Sequence, residues 1–253
     1  PDQARQAPGM DDDDPELAVS AKSDSASLTA RDIRLAPSGV RFCALEEGEL
    51  VRVKTNLPGQ FSVYNALAAI SCARLLVVSL ADAAAALETA HGAKGRVEPV
   101  PTDGDYSIFI DYAVTPDAIE NVLTTLRGIA PKRLVMLFGA GGDRDRKKRP
   151  IMGKLSADIA DFVIVTSDNP RTEDPMSIIE EILPGVRAGK APYKVICDRP
   201  EAIRWAIDHH EPGDVILLCG KGHEDYQIIG HEKIHMDERE IVADYLAERA
   251  KRT

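Results

Sequence analysis

The fold class is indicated most clearly by the stretch Asp161–Val186, DFVIVTSDNPRTEDPMSIIEEILPGV. It begins with an apolar run of strand length, continues through a polar loop, and ends in a segment with apolar residues at helical spacing. Within the loop, Pro170 keeps Asn169 extended and fixes its own φ. The pattern predicts a strand, a stiff loop of mixed charge and a helix in succession.

The same order repeats through the chain from Gly95 onward. The predicted strands are YSIFIDYA, KRLVMLFGAGG, DFVIVTS, YKVICD and DVILLCGKG. The predicted helices are TPDAIENVLTTLRGIA, RPIMGKLSADIA, DPMSIIEEILPGV, PEAIRWAIDHH and EREIVADYLAERA. Thr115 is placed to cap the first helix, with Pro116 at its first position. Strand–helix alternation of this kind predicts an α/β fold with a doubly wound, mostly parallel, Rossmann-like sheet.

The N-terminal part of the chain has a different pattern. Residues 27–53 alternate apolar and polar side chains around Pro-Ser-Gly and Glu-Glu-Gly turns, which predicts antiparallel strands. FSVYNALAAISCARLLVV and ADAAAALETA then predict two helices. Because 253 residues exceed the usual size of a single core, we expect one large or two modest domains.

Composition narrows the class of protein. The chain is 44% hydrophobic and 28% charged, and it carries no apolar run of membrane-spanning length. A net charge of −10 disfavours non-specific binding to nucleic acid. Four cysteines without CxxC spacing and an N-terminal segment without a signal-peptide core predict buried free thiols in a reducing cytoplasm. We therefore expect a cytoplasmic protein with no nucleic-acid or membrane partner.

Four polar loops follow directly from predicted strands: DYAVTP, FGAGGDRDRKKRP, TSDNPRTEDP and CGKGHEDYQ. Because ligands of such sheets bind beyond the carboxyl ends of the strands, we expect these loops to meet at one edge. The glycines of 139–142 permit positive φ and free N–H groups, which favours an anion-binding turn. Arg144 follows that turn and should face the cleft, whereas 146–148 is more typical of a solvated basic loop.

The loops TSDNPRTEDP and CGKGHEDYQ supply complementary charges. Arg171 suits a carboxylate or a phosphate, and a charge-assisted hydrogen bond contributes roughly 1.5–3 kcal/mol. Asp168 and the side-chain carbonyl of Asn169 can accept from an ammonium, and Glu224 is a further ammonium partner. A helix-capping turn is the alternative for this loop, and it suits 172–174 better. Together the residues predict a site for an amino acid, and an amino acid with charges at both ends also fits them, but they name no reaction.

Two common nucleotide motifs are absent from the sequence. Neither CGKGHED nor RAGKAP satisfies GxxxxGK[ST], and no GxGxxG occurs. His223 alone is more typical of a structural hydrogen bonder than of a catalyst. The missing glycine fingerprint disfavours a nucleotide-dependent oxidoreductase on this sheet.

Seven motifs in order resemble the Mur ligase family, and most closely its MurE type, which adds the third residue of the peptide. They are DDDDPE, LPGQFSVYNALAAI, GRVEPV, DYAVTPDAIENVL, FGAGGDRDRKKRPIMG, TSDNPRTEDP and LLCGKGHEDYQIIG. The resemblance implies that residues 1–94 end the central ATP-binding domain. It also implies that residues 95–253 form the C-terminal domain, which carries the amino acid.

The resemblance implies an ATP-dependent ligase that phosphorylates the carboxylate of UDP-MurNAc-L-Ala-D-Glu for peptidoglycan precursor synthesis. The amine of meso-diaminopimelate then attacks the acyl phosphate, and ADP and phosphate leave. ATP and Mg²⁺ are the implied cofactors, the two small molecules are the implied partners, and a monomer is expected. The matching nucleotide positions are Asn65, Arg96 and Asp111. The matching diaminopimelate positions are Arg144, Asp168, Asn169, Arg171, Gly220 and Glu224.

The tetrapeptide Asp168–Arg171, DNPR, implies meso-diaminopimelate rather than lysine. Diaminopimelate carries a second amino-acid head, whose carboxylate can pair with Arg171. Lysine lacks that carboxylate and would leave a desolvated guanidinium unpaired, which is a strong basis for selectivity.

Two departures from the family pattern limit the expected activity. Val114 stands where the family has His. The sequence also shows no P-loop, no carbamylatable-lysine motif and no N-terminal UDP-binding domain, so we expect neither catalytic residues nor metal ligands in this segment and place the Mg²⁺ ligands elsewhere. The chain alone should not catalyse ligation. The alternative is a non-catalytic, truncated paralogue that acts as a binding or scaffold protein.

Overall fold

The computed structural model describes residues 19–20 and 27–251, so the motif DDDDPE lies outside the described residues. The N-terminal sheet has the order β1-β2-β3-β4. Its strands are β1 (Val19–Ser20), β2 (Leu28–Ala36), β3 (Gly39–Glu46) and β4 (Glu49–Thr55). β2, β3 and β4 pair antiparallel, as the sequence predicted, whereas β1 runs parallel to β2.

Two helices, α1 (Gln60–Leu75) and α2 (Leu80–Leu87), pack on this sheet. Strand residues such as Leu28 and Phe42 and helix residues such as Leu67 and Leu80 bury their side chains in the shared core. Because apolar area removed from water contributes about 25 cal/mol per Å², this core holds the N-terminal part together.

The first helix ends earlier than the sequence predicted. The N–H groups of Val77 and Val78 bond to the carbonyls of Arg74 and Ala73, at 2.9 and 3.1 Å, which is a Schellman arrangement. Val77 therefore has a φ of 63°, in the left-handed region that favours glycine. A β-branched residue is strained there.

The larger, C-terminal sheet has the order β5-β6-β10-β7-β8-β9. Its strands are β5 (Glu98–Val100), β6 (Ser107–Asp111), β7 (Leu134–Phe138), β8 (Phe162–Val165), β9 (Tyr193–Val195) and β10 (Val215–Cys219). The accompanying helices are α3 (Pro116–Arg127), α4 (Lys148–Ile159), α5 (Pro175–Ala188), α6 (Arg199–Asp208) and α7 (Glu238–Ala250). A separate antiparallel hairpin joins β11 (Tyr226–Ile229) to β12 (Glu232–His235).

Helices cover both faces of the larger sheet. Residues such as Phe109 and Leu217 face α3, α4 and α5, while their strand neighbours, such as Ile108 and Ile216, face α6 and α7. All strand pairs from β6 to β9 are parallel. The predicted doubly wound, mostly parallel α/β fold is confirmed. Thr115 caps α3 by accepting a hydrogen bond from the N–H of Ala118, also as predicted.

The sequence did not predict β5 or the β11–β12 hairpin. β5 is a three-residue edge strand that contains Pro99, and it pairs antiparallel with β6. The hairpin strand Glu232–His235 is exposed along its whole length, so no alternation of buried and exposed side chains marks it. Short edge strands and exposed hairpins lack the periodic apolar pattern on which such predictions depend.

All four cysteines lie within the described residues and are free thiols. Cys219 is buried, but Cys43 and Cys197 are only partly buried and Cys72 is exposed, so the expectation of buried thiols was wrong for Cys72. In the part of the chain that the structure describes, no helix is long and apolar enough to cross a membrane.

Replacing Val77 by glycine should raise the free energy of unfolding by about 1 kcal/mol, because left-handed strain of that order is removed. Urea denaturation of both proteins measures the change. Val78→Gly is the matched control, since Val78 has no positive φ, and it should lower stability. Equal destabilisation by both substitutions would contradict the assigned strain.

Candidate functional site

The four polar loops meet at the carboxyl edge of the larger sheet. Together with the start of α4 they form a polar cleft, lined by Tyr112, Val114, Gly139, Ala140, Gly141, Arg144, Lys148, Met152, Asp168, Asn169, Arg171, Gly220 and Glu224. The structure thus brings together the six residues that the sequence indicated for an amino acid. Their binding roles stay predictions, whereas their common location is an observation.

Glycines let the loop after β7 lie directly on the loop after β8. A Cβ at Gly142 would come within 1.8 Å of the carbonyl oxygen of Pro170, and one at Gly139 within 2.4 Å of that of Thr166. The N–H of Gly142 donates to the carbonyl of Asn169 at 2.9 Å. These glycines therefore serve close approach. The predicted positive φ was wrong for Gly139, Gly141 and Gly142, and the predicted free N–H was wrong for Gly142.

Arg171 is held by the hairpin in a strained conformation. Its φ is 51°, and its N–H donates to the carbonyl of Ile228 while its own carbonyl accepts from Gly230. The guanidinium lines the cleft and donates to the carbonyl oxygen of Gly142 at 2.8 Å. A left-handed backbone costs about 1–2 kcal/mol for a residue with a side chain, so the hairpin contacts are needed to hold Arg171 in this conformation. The backbone position and the contact to Gly142 together set where the guanidinium lies.

Asp168 presents an unpaired carboxylate oxygen. The residue is 6% exposed, and its Oδ1 accepts from the N–H of Asn169 at 2.6 Å. Among the residues that the structure describes, its Oδ2 has no hydrogen-bond partner. That oxygen lies 2.6 Å from the position of a Cβ at Gly220, whose φ of 114° also requires glycine. A buried acceptor without a donor is unfavourable, so a ligand donor fits this position.

A buried lysine joins the loop after β10 to the loop after β8. Lys221 is fully buried, and its Nζ donates to Oδ1 of Asn169 at 2.8 Å and to Oε2 of Glu224 at 2.7 Å. The Asn169 amide also donates to Glu224 at 2.9 Å and accepts from the N–H of Ile228 at 2.9 Å. The side-chain carbonyl of Asn169, which the sequence suggested for a ligand ammonium, is thus occupied by protein donors.

Glu224 is kept ionised by these contacts. Burial alone would raise the pKa of Glu224, but hydrogen bonds from Lys221 and Asn169, together with the charge of Lys221 and a weaker contact from Tyr226, lower it below the ordinary value of 4.5. The cleft therefore contains a carboxylate at neutral pH.

The basic residues after β7 take different positions. Arg144 is exposed and lines the cleft, as expected. Arg146 is exposed and pairs with Glu181, outside the cleft lining. Lys148 was expected on a solvated loop, but it lines the cleft and its Nζ donates to the carbonyl of Val114 at 2.9 Å.

The residues indicated for a nucleotide, Asn65, Arg96 and Asp111, do not share one cleft as the residues indicated for the amino acid do. Asp111 is buried and accepts from the N–H groups of Val97 and Ala113, at 2.8 and 2.9 Å. Burial raises the pKa of Asp111, although those hydrogen bonds oppose the shift. Arg96 is exposed, with its guanidinium 5.5 Å from the ring centre of Tyr112. Asn65 lies on the exposed side of α1 and is not among the residues that line the cleft.

Two fully buried arginines, which sequence reasoning missed, support the loops. Arg149 donates to Glu173 at 2.8 and 2.9 Å and to Glu181 at 2.7 Å. Arg199 donates to Glu238 at 2.9 Å and to the carbonyl of Cys219 at 2.8 Å. Each arginine precedes a proline in the first turn of a helix, where the helix dipole disfavours a cation. An Arg-Pro pair at that position is therefore the signal that a partner carboxylate is needed.

The arrangement can bind a zwitterion. Acceptors from Asp168 and Glu224 and guanidinium groups from Arg144 and Arg171 line one cleft. Within the described residues, no group of three His, Cys, Asp or Glu side chains is placed to hold a metal ion.

Comparison with protein-family models gives two matches. The model described as "Mur ligase, glutamate ligase domain" matches residues 95–222, about half of the chain. The model described as "Mur ligase middle domain" matches residues 10–73.

Curated relatives share one printed name, UDP-N-acetylmuramoyl-L-alanyl-D-glutamate--2,6-diaminopimelate ligase. The protein from Caldanaerobacter subterraneus subsp. tengcongensis is 48% identical over 228 residues, which are 90% of this chain and 47% of the relative. The protein from Oceanobacillus iheyensis is 41% identical over 224 residues, or 88% of this chain and 45% of the relative. The chain spans about half the length of the curated relatives it matches.

Solved structures show the same similarity. A structure titled as UDP-N-acetylmuramoyl-L-alanyl-D-glutamate--2,6-diaminopimelate ligase superposes with a TM-score of 0.76 at 34% identity, covering 92% of this chain and 48% of its own. A UDP-N-acetylmuramate-alanine ligase from Thermotoga maritima has a TM-score of 0.62 at 21% identity, covering 94% of this chain and 48% of its own. The second match shows a common fold alone.

Replacing Arg199 by methionine should lower the free energy of unfolding by about 3–5 kcal/mol, because Glu238 would be left as an uncompensated buried charge. Lys154→Ala removes an exposed ion pair with Asp158 and should cost less than about 1 kcal/mol. Chemical denaturation of both variants measures the difference. Similar small losses would show that Arg199 does not hold the sheet edge together.

Proposed function

The chain belongs to the Mur ligase family, and from that membership we propose that it forms the amino-acid-binding part of an ATP-dependent ligase. The proposed reaction joins meso-diaminopimelate to UDP-MurNAc-L-Ala-D-Glu during peptidoglycan precursor synthesis in the bacterial cytoplasm. The curated relatives named for this ligase, at 41–48% identity over most of the chain, support the choice.

The unpaired Oδ2 of Asp168 is the single observation that carries this proposal. It is a buried acceptor beside the cleft, and Glu224 supplies a second carboxylate in the same lining. An α-ammonium group of the ligand would donate to these oxygens. A charge-assisted hydrogen bond of this kind contributes roughly 1.5–3 kcal/mol.

Arg171 is proposed to select diaminopimelate over lysine. Its backbone is fixed by hydrogen bonds to Ile228 and Gly230, and its guanidinium is held by the carbonyl of Gly142, so little side-chain entropy is lost when it pairs with a carboxylate. The distal carboxylate of diaminopimelate would provide that partner, and Arg144, which lines the same cleft, is the proposed partner of the other carboxylate. Lysine would leave Arg171 partly desolvated without an anion.

The proposed nucleotide contacts in this chain are less complete than the proposed contacts to the amino acid. The exposed Arg96 guanidinium near Tyr112 suits a phosphate or an aromatic base. Asp111 fits a supporting role, since both of its oxygens already accept backbone N–H groups. Asn65 remains a proposed contact on a separate helix. When bound, ATP activates the acceptor carboxylate as an acyl phosphate.

The metal that Mur ligases use does not fit the described residues, because they contain no cluster of suitable ligands. No step of the proposal therefore depends on a metal held by this chain. Its own residues bind the amino acid, orient it and hold its distal head away from the reacting amine. We also propose that 1–94 and 95–253 act as the end of a central domain and a C-terminal domain.

The purified chain should not release phosphate from ATP when given meso-diaminopimelate and UDP-MurNAc-L-Ala-D-Glu, because no phosphate cradle is recognisable in its sequence. A coupled phosphate assay measures this directly. Phosphate release that requires all three substrates would refute the assignment of this chain as a binding part only.

Arg171→Ala should weaken binding of meso-diaminopimelate to the chain about 10- to 100-fold, because the distal carboxylate loses a charge-assisted partner. Affinity for L-lysine should change less than about threefold, since lysine has no carboxylate for Arg171. Isothermal titration calorimetry with both amino acids measures the two changes.

Arg146→Ala is the matched control for this comparison. Arg146 lies in the neighbouring loop but pairs with Glu181, so its loss should leave both affinities unchanged. Equal losses for the two amino acids in the Arg171 variant would reduce Arg171 to a structural residue. An unaltered protein that binds neither meso-diaminopimelate nor nucleotide would favour the scaffold alternative.

A further inference from the structure

Lys221 is a buried cation for which the proposed binding mode has no direct use. It lies in the loop after β10 between Gly220 and Gly222, both of which have positive φ. The residue is fully buried and, unlike Asp168, is not among the residues that line the cleft, so its ammonium does not contact a ligand bound there. Burying an ammonium is unfavourable unless strong partners compensate, and a function for this one is therefore expected.

The partners of Lys221 are both residues indicated for the amino acid. Its Nζ lies 2.7 Å from Oε2 of Glu224 and 2.8 Å from Oδ1 of Asn169. Asn169 donates to the same Glu224 oxygen at 2.9 Å, so each of these three side chains is hydrogen-bonded to the other two. The ammonium is also 5.2 Å from the ring centre of Tyr226. One buried charge thus connects two loops of the cleft.

We propose that Lys221 is a positioning residue: its ammonium orients Glu224 and Asn169 so that the Glu224 carboxylate meets the ammonium group of a bound amino acid. The inference deepens the proposed function and rests on it for the identity of the ligand. Lys221 acts through Glu224 and does not touch the ligand.

Geometry explains why a neutral residue would not serve. Glu224 lies partly buried at the cleft, where burial disfavours its charged form, and Lys221 is the cation closest to it in the hydrogen-bond network. With one oxygen bonded to Lys221 and Asn169, the carboxylate cannot rotate, and its other oxygen, Oε1, is 3.3 Å from the hydroxyl of Tyr226. Pre-organisation of this kind lowers the entropy cost of binding.

Other charged and titratable groups surround Glu224 and enter any pH experiment. They are Lys221 and Tyr226 from the region after β10, Asp168 and Arg171 from the loop after β8, Arg144 and Lys148 from the region after β7, and Tyr112 from the loop after β6. A change of signal with pH must therefore be assigned to the Glu224 carboxyl group itself. Nuclear magnetic resonance of the side-chain carboxyl carbon makes that assignment.

The first measurement follows the Glu224 carboxyl signal against pH in the full chain without ligand. In the unaltered protein it should titrate below pH 4.5, in the direction that the Lys221 and Asn169 contacts require. In Lys221→Gln the titration should move up by at least about one pH unit, because the cation is lost while burial remains. Lys221→Arg keeps the charge and should titrate close to the unaltered protein.

The second measurement is the affinity for meso-diaminopimelate between about pH 5.5 and 7.5, a range in which an unperturbed carboxylate stays ionised. The unaltered chain should bind with little pH dependence. Lys221→Gln should bind about tenfold more weakly at pH 7.5 and lose further affinity as the pH falls, since protonated Glu224 cannot pair with an ammonium. Lys221→Arg should recover affinity to within about threefold of the unaltered chain.

The outcomes separate this inference from the proposed function. Unchanged Glu224 titration in Lys221→Gln, or titration above pH 4.5 in the unaltered protein, overturns the positioning role whether or not the ligand binds. The positioning role is also overturned if the affinity for meso-diaminopimelate has the same pH dependence in the unaltered chain and in Lys221→Gln. It is overturned as well if Lys221→Arg binds as weakly as Lys221→Gln. Failure of the unaltered chain to bind meso-diaminopimelate, with the Glu224 shifts as expected, overturns the proposed ligand while the orienting contact stands.

Discussion

Buried cations hold the carboxyl edge of the larger sheet in one arrangement. Arg149, Arg199 and Lys221 are fully buried, and each donates to a carboxylate that comes from another helix or from a loop of the cleft. Because removing one partner of a buried ion pair leaves an uncompensated charge, the loops that carry these groups cannot shift independently. The shape of the cleft depends on this constraint more than on the conformation of any single loop.

The constraint has a consequence for recognition. The cleft presents the unpaired oxygen of Asp168, the ionised Glu224 and the Arg171 guanidinium, which donates to Gly142, before any ligand arrives. Pre-organised polar groups favour a ligand whose charges match them and reject one that leaves a buried group unpaired. This match of charges is the basis on which we propose selectivity for a diamino diacid. Mur ligase membership alone would not specify it.

Much of this arrangement follows from local sequence patterns, and the rest does not. The strand–helix order and the meeting of four loops at one edge follow from periodicity and parallel topology. The roles of Arg149 and Arg199 were missed, because their partner carboxylates are distant in sequence. The role of Lys221 was missed because its burial depends on contact with Asn169 in another loop, although Glu224 is close in sequence. The left-handed φ of Arg171 depends on the hairpin, whose partly buried first strand and exposed second strand show no apolar period. Asn65 lies apart from the cleft, which resemblance by motif could not reveal.

The decisive measurement for the proposed binding mode is a crystal structure of this chain with meso-diaminopimelate. We expect one ligand ammonium within hydrogen-bond distance of Oδ2 of Asp168 and of Glu224, with the carboxylate of the same head on Arg171. Lys221 should remain buried against Asn169 and Glu224. A ligand bound outside this cleft, or one whose ammonium leaves the Asp168 oxygen unpaired, would contradict the account.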